Sequence, residues 1–274
     1  PPPPPFQAED GIRDRQARLV GSEMCIRDRL YPAGATTNSA SGVTDLAKVA
    51  GALEAMAECG LPLLVHGEVT DPDVDVFDRE AVFIERHLAP LADANPDLRV
   101  VLEHVTTRHG VEYVLAAGPK VAGTLTAHHL LWNRNAIFTG GLNPHAYCLP
   151  VLKREQHREA LIAAATGDSG RFFLGTDSAP HPRHGKEAAC GCAGIFTAHA
   201  ALELYATAFE EAGALDRLEG FASLDGPRFH GMQPNAEKVT LVKEAWQVPD
   251  IYPYEGGEVV PMMAGAELEW RIRI

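Results

Sequence analysis

Three ionisable side chains each close an apolar run of the sequence, and all three belong to types that bind metal ions. His66 ends LPLLVH, His104 ends LRVVLEH and Asp177 ends RFFLGTD. Neutral imidazole nitrogens and carboxylates are common ligands of Zn²⁺, which can hold a water molecule at an open position and lower its pKa to about 7. Together the three residues predict a hydrolytic zinc site.

Each residue has a simpler interpretation when it is taken alone. A single histidine after an apolar run, such as His66 or His104, is more often a structural residue. Asp177 carries more weight, because a carboxylate that follows a buried strand needs a cation or a charged partner. In DSAPHPRH, His181 lies four residues after Asp177 on a proline-containing loop, where it can face a substrate anion, whereas His184 is interpreted as solvent-exposed.

Two further groups carry less weight. His128 and His129 follow the apolar run VAGTLT, where packing explains them at least as well as a chemical role. The CGCAG stretch at 190–194 has two thiols but no matching C-x-x-C pair elsewhere, which disfavours a structural zinc ribbon. Its glycines are interpreted as letting backbone N–H groups approach a ligand.

Short buried strands that alternate with helices would position these residues. Strands are predicted at 61–66, 98–104, 121–126 and 171–177, and helices at 43–59, 78–94, 107–117, 151–165, 197–213 and 215–224. The alternation favours a parallel α/β sheet, and the ionisable residues end strands on the face where (β/α) barrels carry active sites. The remainder, from Gly226 to Ile274, is a Pro- and Gly-rich tail without a predicted element.

The composition excludes several classes of function. The 274 residues suit a (β/α) barrel, and 46% of them are hydrophobic. A net charge of −13 without a Lys/Arg cluster disfavours a nucleic-acid partner. No apolar run is long enough to cross a bilayer, so a membrane partner is not expected. Five scattered cysteines are typical of a reduced, cytoplasmic protein.

Residues 1–29 differ from the rest of the chain. Pro1 to Pro5 precede the near-repeats GIRDR and CIRDR, and the segment between these repeats has neither helical nor strand periodicity. The string VGSEMCIRDR resembles translated sequencing-adapter DNA. We therefore expect residues 1–29 to be a non-native, disordered leader and residues 30–274 to be the native portion.

Seven blocks of the chain resemble the dihydroorotases of the amidohydrolase superfamily. They are LYPAGATTNS, PLLVHGEVTD, FDRE, LEHVTT, NPHAYCLPVLKR, FLGTDSAPH and KEAACGCAG. The resemblance implies a (β/α)₈ TIM barrel with two zinc ions that reversibly hydrolyses L-dihydroorotate to N-carbamoyl-L-aspartate in pyrimidine biosynthesis. It also implies a small-molecule substrate and a homodimer. The expected fold is a partial barrel, with strands five to eight and their helices present and the first half missing.

The resemblance further implies roles for individual residues. His66 and His104 would bind one zinc ion, and Asp177 would bind the other and act as general base and acid. The implied substrate contacts are His66, Leu149, His181 and Ala193, those of Leu149 and Ala193 being made by the backbone. Thr36 and Thr37 would belong to a mobile loop that closes over the substrate.

Two features depart from the family pattern. No H-x-H pair precedes LYPAGATTN, and Arg29 stands where a lysine carboxylated by CO₂ would bridge the two zinc ions. A guanidinium stays protonated, so it cannot form a carbamate or ligate a metal. The chain is therefore predicted to lack catalysis. With open sheet edges and an uncovered apolar surface, it is also predicted to fold poorly alone.

Two other functions remain open at this point. A metal-free homologue that acts as a structural or regulatory partner would have no physical need for His66, His104, Asp177 and His181 at strand ends. Another cyclic amidohydrolase, such as a hydantoinase, is disfavoured by the YCLP and CGCAG blocks.

Overall fold

The computed structural model describes residues 28–30, 50–189, 191–254 and 256–273. The strands are β1 Asp28–Leu30, β2 Leu63–His66, β3 Val100–Glu103, β4 Val121–Leu125, β5 Phe172–Leu174, β6 Thr240–Gln247, β7 Tyr252–Tyr254, β8 Gly257–Val259 and β9 Glu267–Arg273. The α-helices are α1 Ala50–Cys59, α2 Arg79–Phe83, α3 Ala89–Ala94, α4 Arg108–Ala116, α5 Ala127–Leu131, α6 Glu155–Thr166, α7 Arg183–Lys186, α8 Ala201–Glu211 and α9 Asp225–His230. Short 3₁₀ turns lie at Arg134–Phe138, Pro144–Ala146, Ala198–Ala200 and Leu215–Arg217, and π-helical turns lie at Ile84–Leu88 and Gly220–Leu224. The expected leader up to residue 27 and the predicted loop residues Thr36 and Thr37 lie outside the described residues.

Strands β1 to β5 form one parallel sheet in chain order. The four predicted strands appear as β2 to β5, with ends that differ by up to three residues from the predicted ones. The sheet also contains β1, which was not predicted and which crosses the expected boundary after residue 29. The backbone of Arg29 pairs with Leu64 of β2. Five parallel strands are therefore present where the sequence predicts four.

The sheet is buried on both faces, as is usual for parallel strands. One face joins the main hydrophobic core, which contains Leu63, Val65, Val100, Leu102, Val121 and Leu125. The other face carries a second cluster of Leu64, Val101, Ala122 and Phe173, against which Phe229 of α9 packs. These four side chains are only 0–4% exposed, so the predicted uncovered apolar surface is not seen at these positions.

Threonine caps start the helices that follow the central strands. The Thr107 side chain accepts a hydrogen bond from Gly110 N at the start of α4, and Thr126 does the same for His129 N at the start of α5. Such caps satisfy backbone N–H groups that have no partner within the helix. Each cap fixes the point where the helix begins, and the residues between the end of the strand and the start of the helix therefore lie at the carboxyl edge of the sheet.

The tail from Gly226, for which the sequence analysis predicts no element, contains regular structure. This residue lies in α9, and β6 and β7 pair in antiparallel fashion with β9 and β8, respectively. Trp246 Nε1 of β6 donates a hydrogen bond to the carbonyl of Trp270 in β9. Of the helices within the described ranges, none is both long and apolar enough to cross a membrane.

Candidate functional site

His66 and His104 lie side by side because His66 ends β2 and His104 directly follows its neighbour β3. His66 Nδ1 and His104 Nε2 are 3.1 Å apart, and the two residues are 1% and 2% exposed. Bonds of about 2.0–2.1 Å to a tetrahedral Zn²⁺ place two ligand nitrogens roughly 3.3 Å apart. The two rings therefore fit a shared zinc ion.

A carboxylate that the sequence analysis did not single out orients the His66 ring. His66 Nε2 lies 3.0 Å from Glu68 Oε2. When Nε2–H donates to this carboxylate, the lone pair of Nδ1 is directed towards His104, as in many carboxylate–histidine–metal arrangements. The other oxygen, Glu68 Oε1, is buried without a hydrogen-bond partner, which favours a cation nearby. The spacing in VHGE could have indicated Glu68, because residues i and i+2 of an extended chain share a face.

His104 and Asp177 both leave their strands with a strained backbone. Their φ angles are +41° and +40°, and Met263 is the other non-glycine residue with positive φ among the described residues. Such conformations cost about 1–3 kcal/mol each and cluster at functional sites. The His104 N–H donates to Thr124 Oγ1 at 2.7 Å, which holds the bend in place. Because all five strands are parallel, Asp177 beyond β5 lies at the same edge of the sheet as His104.

Glu80 holds the chain that follows His104. Its carboxylate accepts four hydrogen bonds, from the backbone N–H and the hydroxyl of Thr106 and of Thr107, at 2.5–2.9 Å. Glu80 is 1% exposed. A Cβ at Gly110 would lie 2.7 Å from Glu80 Oε1, so this buried arrangement requires glycine there. One carboxylate from the FDRE block thus fixes the loop that carries a predicted metal ligand.

The loops that carry the predicted substrate contacts are joined to one another. His181 Nε2 donates to the carbonyl of Ala193 at 3.0 Å. The next residue, Gly194, has φ +152°, and a Cβ there would lie 2.5 Å from the carbonyl oxygen of Ala179. Gly194, the last residue of CGCAG, therefore lets the backbone approach the DSAPH loop.

Lys186 ties the same loops to the segment that contains Leu149. Its Nζ donates to the carbonyls of Tyr147 at 2.7 Å and Gly194 at 2.6 Å. Gly194 N–H also donates to the Tyr147 carbonyl. Burial lowers the pKa of Lys186 to about 8. The segments of Leu149, His181 and Ala193 are therefore brought together, although the roles of these residues stay predictions.

Comparison with known proteins decides the family. The sequence profile of the amidohydrolase family matches residues 11–254. A dihydroorotase of Aromatoleum aromaticum is 61% identical over 260 residues, which make up 94% of this chain and 76% of that protein. A dihydroorotase of Cupriavidus pinatubonensis is 63% identical over 245 residues, or 89% of this chain and 71% of that protein. The chain belongs to the dihydroorotases, within the amidohydrolase family. By family it is a hydrolase.

Solved dihydroorotase structures have the same fold. The Saccharomyces cerevisiae enzyme in complex with 5-fluoroorotic acid matches with a TM-score of 0.84 and 33% identity, covering 94% of this chain and 76% of that one. The Campylobacter jejuni dihydroorotase matches at 0.83 and 34%, covering 95% and 75%. A D-hydantoinase from Thermus sp. matches at 0.70 with 16% identity, which shows a similar fold alone. The predicted dihydroorotase resemblance is confirmed, and the hydantoinase alternative is less supported.

The family match also bears on the expected leader. It begins at residue 11 and β1 begins at Asp28, so both extend into the segment 1–29. The dihydroorotases above are longer than their matched regions, which cover about three quarters of their length.

Proposed function

We propose that this chain carries the metal site of a dihydroorotase, which interconverts L-dihydroorotate and N-carbamoyl-L-aspartate. The observation that carries the proposal is the buried pair of His66 and His104, whose ring nitrogens lie 3.1 Å apart in a chain 61–63% identical to dihydroorotases. Glu68 supports it, because its buried oxygen without a partner suits a cation. Two histidines and a carboxylate at one sheet edge are a donor set that zinc accepts.

His66 and His104 would hold one zinc ion and Asp177 the other, and the metal would activate water and polarise the ring carbonyl. Asp177 then takes the proton of the attacking water and returns it to the leaving amide nitrogen. Glu68 keeps a proton on His66 Nε2 and so keeps Nδ1 available as a donor atom.

The substrate would be held by the joined loops. His181 would pair with its carboxylate, and the backbone of Ala193 and Leu149 would contact the carboxylate and the ring. Lys186 is too firmly bound to carbonyl oxygens to be assigned to the substrate, and its role is to hold these loops together.

Arg29 weakens the site in the chain as it stands. Its backbone lies in β1 beside Leu64 of β2, the strand that ends in His66. A guanidinium there cannot be carboxylated to bridge two metal ions. We therefore propose that the 274-residue chain binds metal incompletely and does not turn over dihydroorotate.

The remaining parts of the proposal concern architecture and setting. The five parallel strands in chain order, and the TM-score of 0.84 to the yeast enzyme, support a partial (β/α)₈ barrel. Zinc as the bound metal, a cytoplasmic location and a homodimer stay predictions.

A hybrid enzyme tests the proposed activity. The amino-terminal segment of the Cupriavidus pinatubonensis dihydroorotase, followed by lysine at position 29, is joined to residues 30–274 of this chain. The hybrid is expected to hydrolyse dihydroorotate and not hydantoin, while the unaltered chain shows no turnover above a zinc-free control. In the hybrid, Asp177→Asn should lower kcat about 10²–10⁴-fold, as loss of a general acid–base does. The exposed Asp73→Asn is the matched control.

Three results would contradict the proposal. A folded hybrid that prefers hydantoin, or that turns over neither substrate, removes the dihydroorotase assignment of the site. Full activity in Asp177→Asn removes the role of Asp177. Turnover by the unaltered chain removes the proposed effect of Arg29.

A further inference from the structure

A second group of metal-ligating side chains lies beyond β4 and shares no residue with the site described above. His128 and His129 belong to α5, and Cys148 lies in the loop just before Leu149. One ligand atom from each residue lies within 4.8 Å of the other two. All three residues are buried, with 1–3% of their surface exposed.

The His128 ring is buried without hydrogen bonds. Neither Nδ1 nor Nε2 has a partner, although buried polar atoms in proteins are nearly always hydrogen-bonded. Burial, with Lys186 nearby, lowers the pKa of His128 to about 3. Burial, with His128 and Lys153, also lowers the pKa of His129 well below its usual value. Both rings are therefore neutral at pH 7, which is the form that binds metals.

The distances between the other two ligands suit a tetrahedral ion. Cys148 Sγ and His129 Nε2 are 3.9 Å apart. Bonds of about 2.3 Å to sulfur and 2.0–2.1 Å to nitrogen place two such atoms roughly 3.6 Å apart. A shift of a few tenths of an ångström would therefore complete the geometry.

Existing hydrogen bonds can rearrange to admit an ion. The carbonyl of Pro150 accepts from the Cys148 thiol at 3.2 Å and from His129 Nε2 at 3.1 Å. Thr126 Oγ1 lies 2.7 Å from His129 Nδ1, and a hydroxyl can donate or accept. If the His129 ring proton lies on Nδ1, this N–H donates a hydrogen bond to Thr126 Oγ1. The Nε2 lone pair is then free to bind a metal.

We propose that His128, His129 and Cys148 form a second metal site, which binds a soft divalent ion such as Zn²⁺ or Cd²⁺. Thiolate and imidazole ligands bind such ions in preference to hard cations such as Mg²⁺ and Ca²⁺. The thiol proton passes to solvent as the metal–sulfur bond forms, and the imidazoles release none. Burial, together with Asp177 and Glu68, raises the pKa of the Cys148 thiol to about 12 against the opposing effect of Lys186 and Lys153. The metal itself therefore has to displace the thiol proton. Because Cys148 precedes Leu149, an ion here would lie beside a predicted substrate contact.

Cadmium titration tests this site separately from the dihydroorotase site. Binding to Cys148 should produce the ultraviolet thiolate-to-Cd²⁺ charge-transfer band, which His66, His104 and Asp177 cannot produce. The 274-residue chain should develop the band with about one equivalent of Cd²⁺. Cys148→Ser should abolish it, whereas Cys59→Ser and Cys192→Ser, at more exposed thiols, should retain it.

The variant His128→Gln tests the second proposed ligand by its affinity for Cd²⁺. It should weaken Cd²⁺ binding at least about tenfold, with the metal-free variant unfolding at the same temperature as the unchanged chain. X-ray absorption of the unchanged chain with one Cd²⁺ bound should show sulfur and nitrogen ligands together, and this measurement needs no variant.

Three results would overturn the proposal. The band could survive in Cys148→Ser, which would assign it to another thiol. His128→Gln could bind Cd²⁺ with unchanged affinity. The bound ion could show oxygen ligands alone. None of these results affects the dihydroorotase assignment, which the activity of the hybrid tests.

Discussion

Two histidine pairs lie at neighbouring strand ends of this chain, and their surroundings differ. His66 is oriented by the carboxylate of Glu68, and the chain after His104 is held by Glu80. His129 faces a carbonyl, a hydroxyl and a thiol, whereas the His128 ring has no hydrogen-bond partner. Within the described residues no carboxylate is hydrogen-bonded to either ring. The groups around the histidines, rather than the histidines themselves, therefore decide which chemistry each site supports. A carboxylate-supported pair fits a hydrolytic zinc site, whereas a pair beside a thiol fits ions that bind sulfur, such as Zn²⁺ and Cd²⁺.

Removing a ligand of the first pair should give the largest effect. In a Cys148→Ser background, which excludes the thiol site, His104→Ala should weaken zinc binding more than about 100-fold, because a direct ligand contributes more than the 10–100-fold of an outer partner. Competition with a chromophoric chelator measures the affinity. His109→Ala, at an exposed position of α4, is the control. Equal affinities in the two variants would remove His104 from the metal site.

Changing the carboxylate of the first pair should have a smaller effect. Glu68→Gln should weaken zinc binding about 10–100-fold, because an amide stabilises the His66 Nε2 proton less than a carboxylate does. The same chelator competition applies, with the exposed Glu112→Gln as control. Unchanged zinc affinity would mean that Glu68 does not orient His66 for a metal.

Glu80 offers a way to separate support of the fold from metal binding. Glu80→Gln should lower the free energy of unfolding by about 1–3 kcal/mol, because the amide NH₂ would face donors of Thr106 or Thr107. Urea denaturation of the metal-free chain measures this loss. The exposed Glu85→Gln should leave the midpoint unchanged. A midpoint for Glu80→Gln that equals that of the control would show that the four hydrogen bonds do not stabilise the loop.

The second pair should make the free energy of unfolding of the metal-free chain depend on pH in the acid range. The pKa of His128 is about 3 in the folded chain and 6.5 as its ordinary value. Between these values the unfolded chain binds a proton that the folded chain does not, so the free energy of unfolding decreases as the pH falls. One such proton contributes about 1.4 kcal/mol per pH unit.

His128→Gln should therefore flatten the dependence of stability on pH between about 6.5 and 3, as measured by urea denaturation in the presence of chelator. His184→Gln, at an exposed position, should keep the slope of the unchanged chain. If both variants keep that slope, His128 is not buried as a neutral ring.

Regions with long apolar runs were predictable, and regions with short or distant pairings were not. The strands β2 to β5 follow from apolar runs that only buried strands or helices can use. Strand β1 has three residues, too few for any periodicity, and its pairing with β2 decides its conformation. The strands β6 and β9 were not predicted because their paired residues lie twenty or more positions apart and stabilise each other without a local pattern.

The family and the positions of His66, His104 and Asp177 at strand ends follow from the amino-acid sequence, because apolar runs and the seven matching blocks are local properties of the chain. Which side chains meet depends on how the chain folds. The fold places Glu68 against His66, gives Glu80 four donors and brings Cys148 to His129, nineteen positions earlier in the chain. Metal binding and hydrogen bonding depend on distances of a few ångströms between separate segments, and only the packing of the whole chain sets those distances.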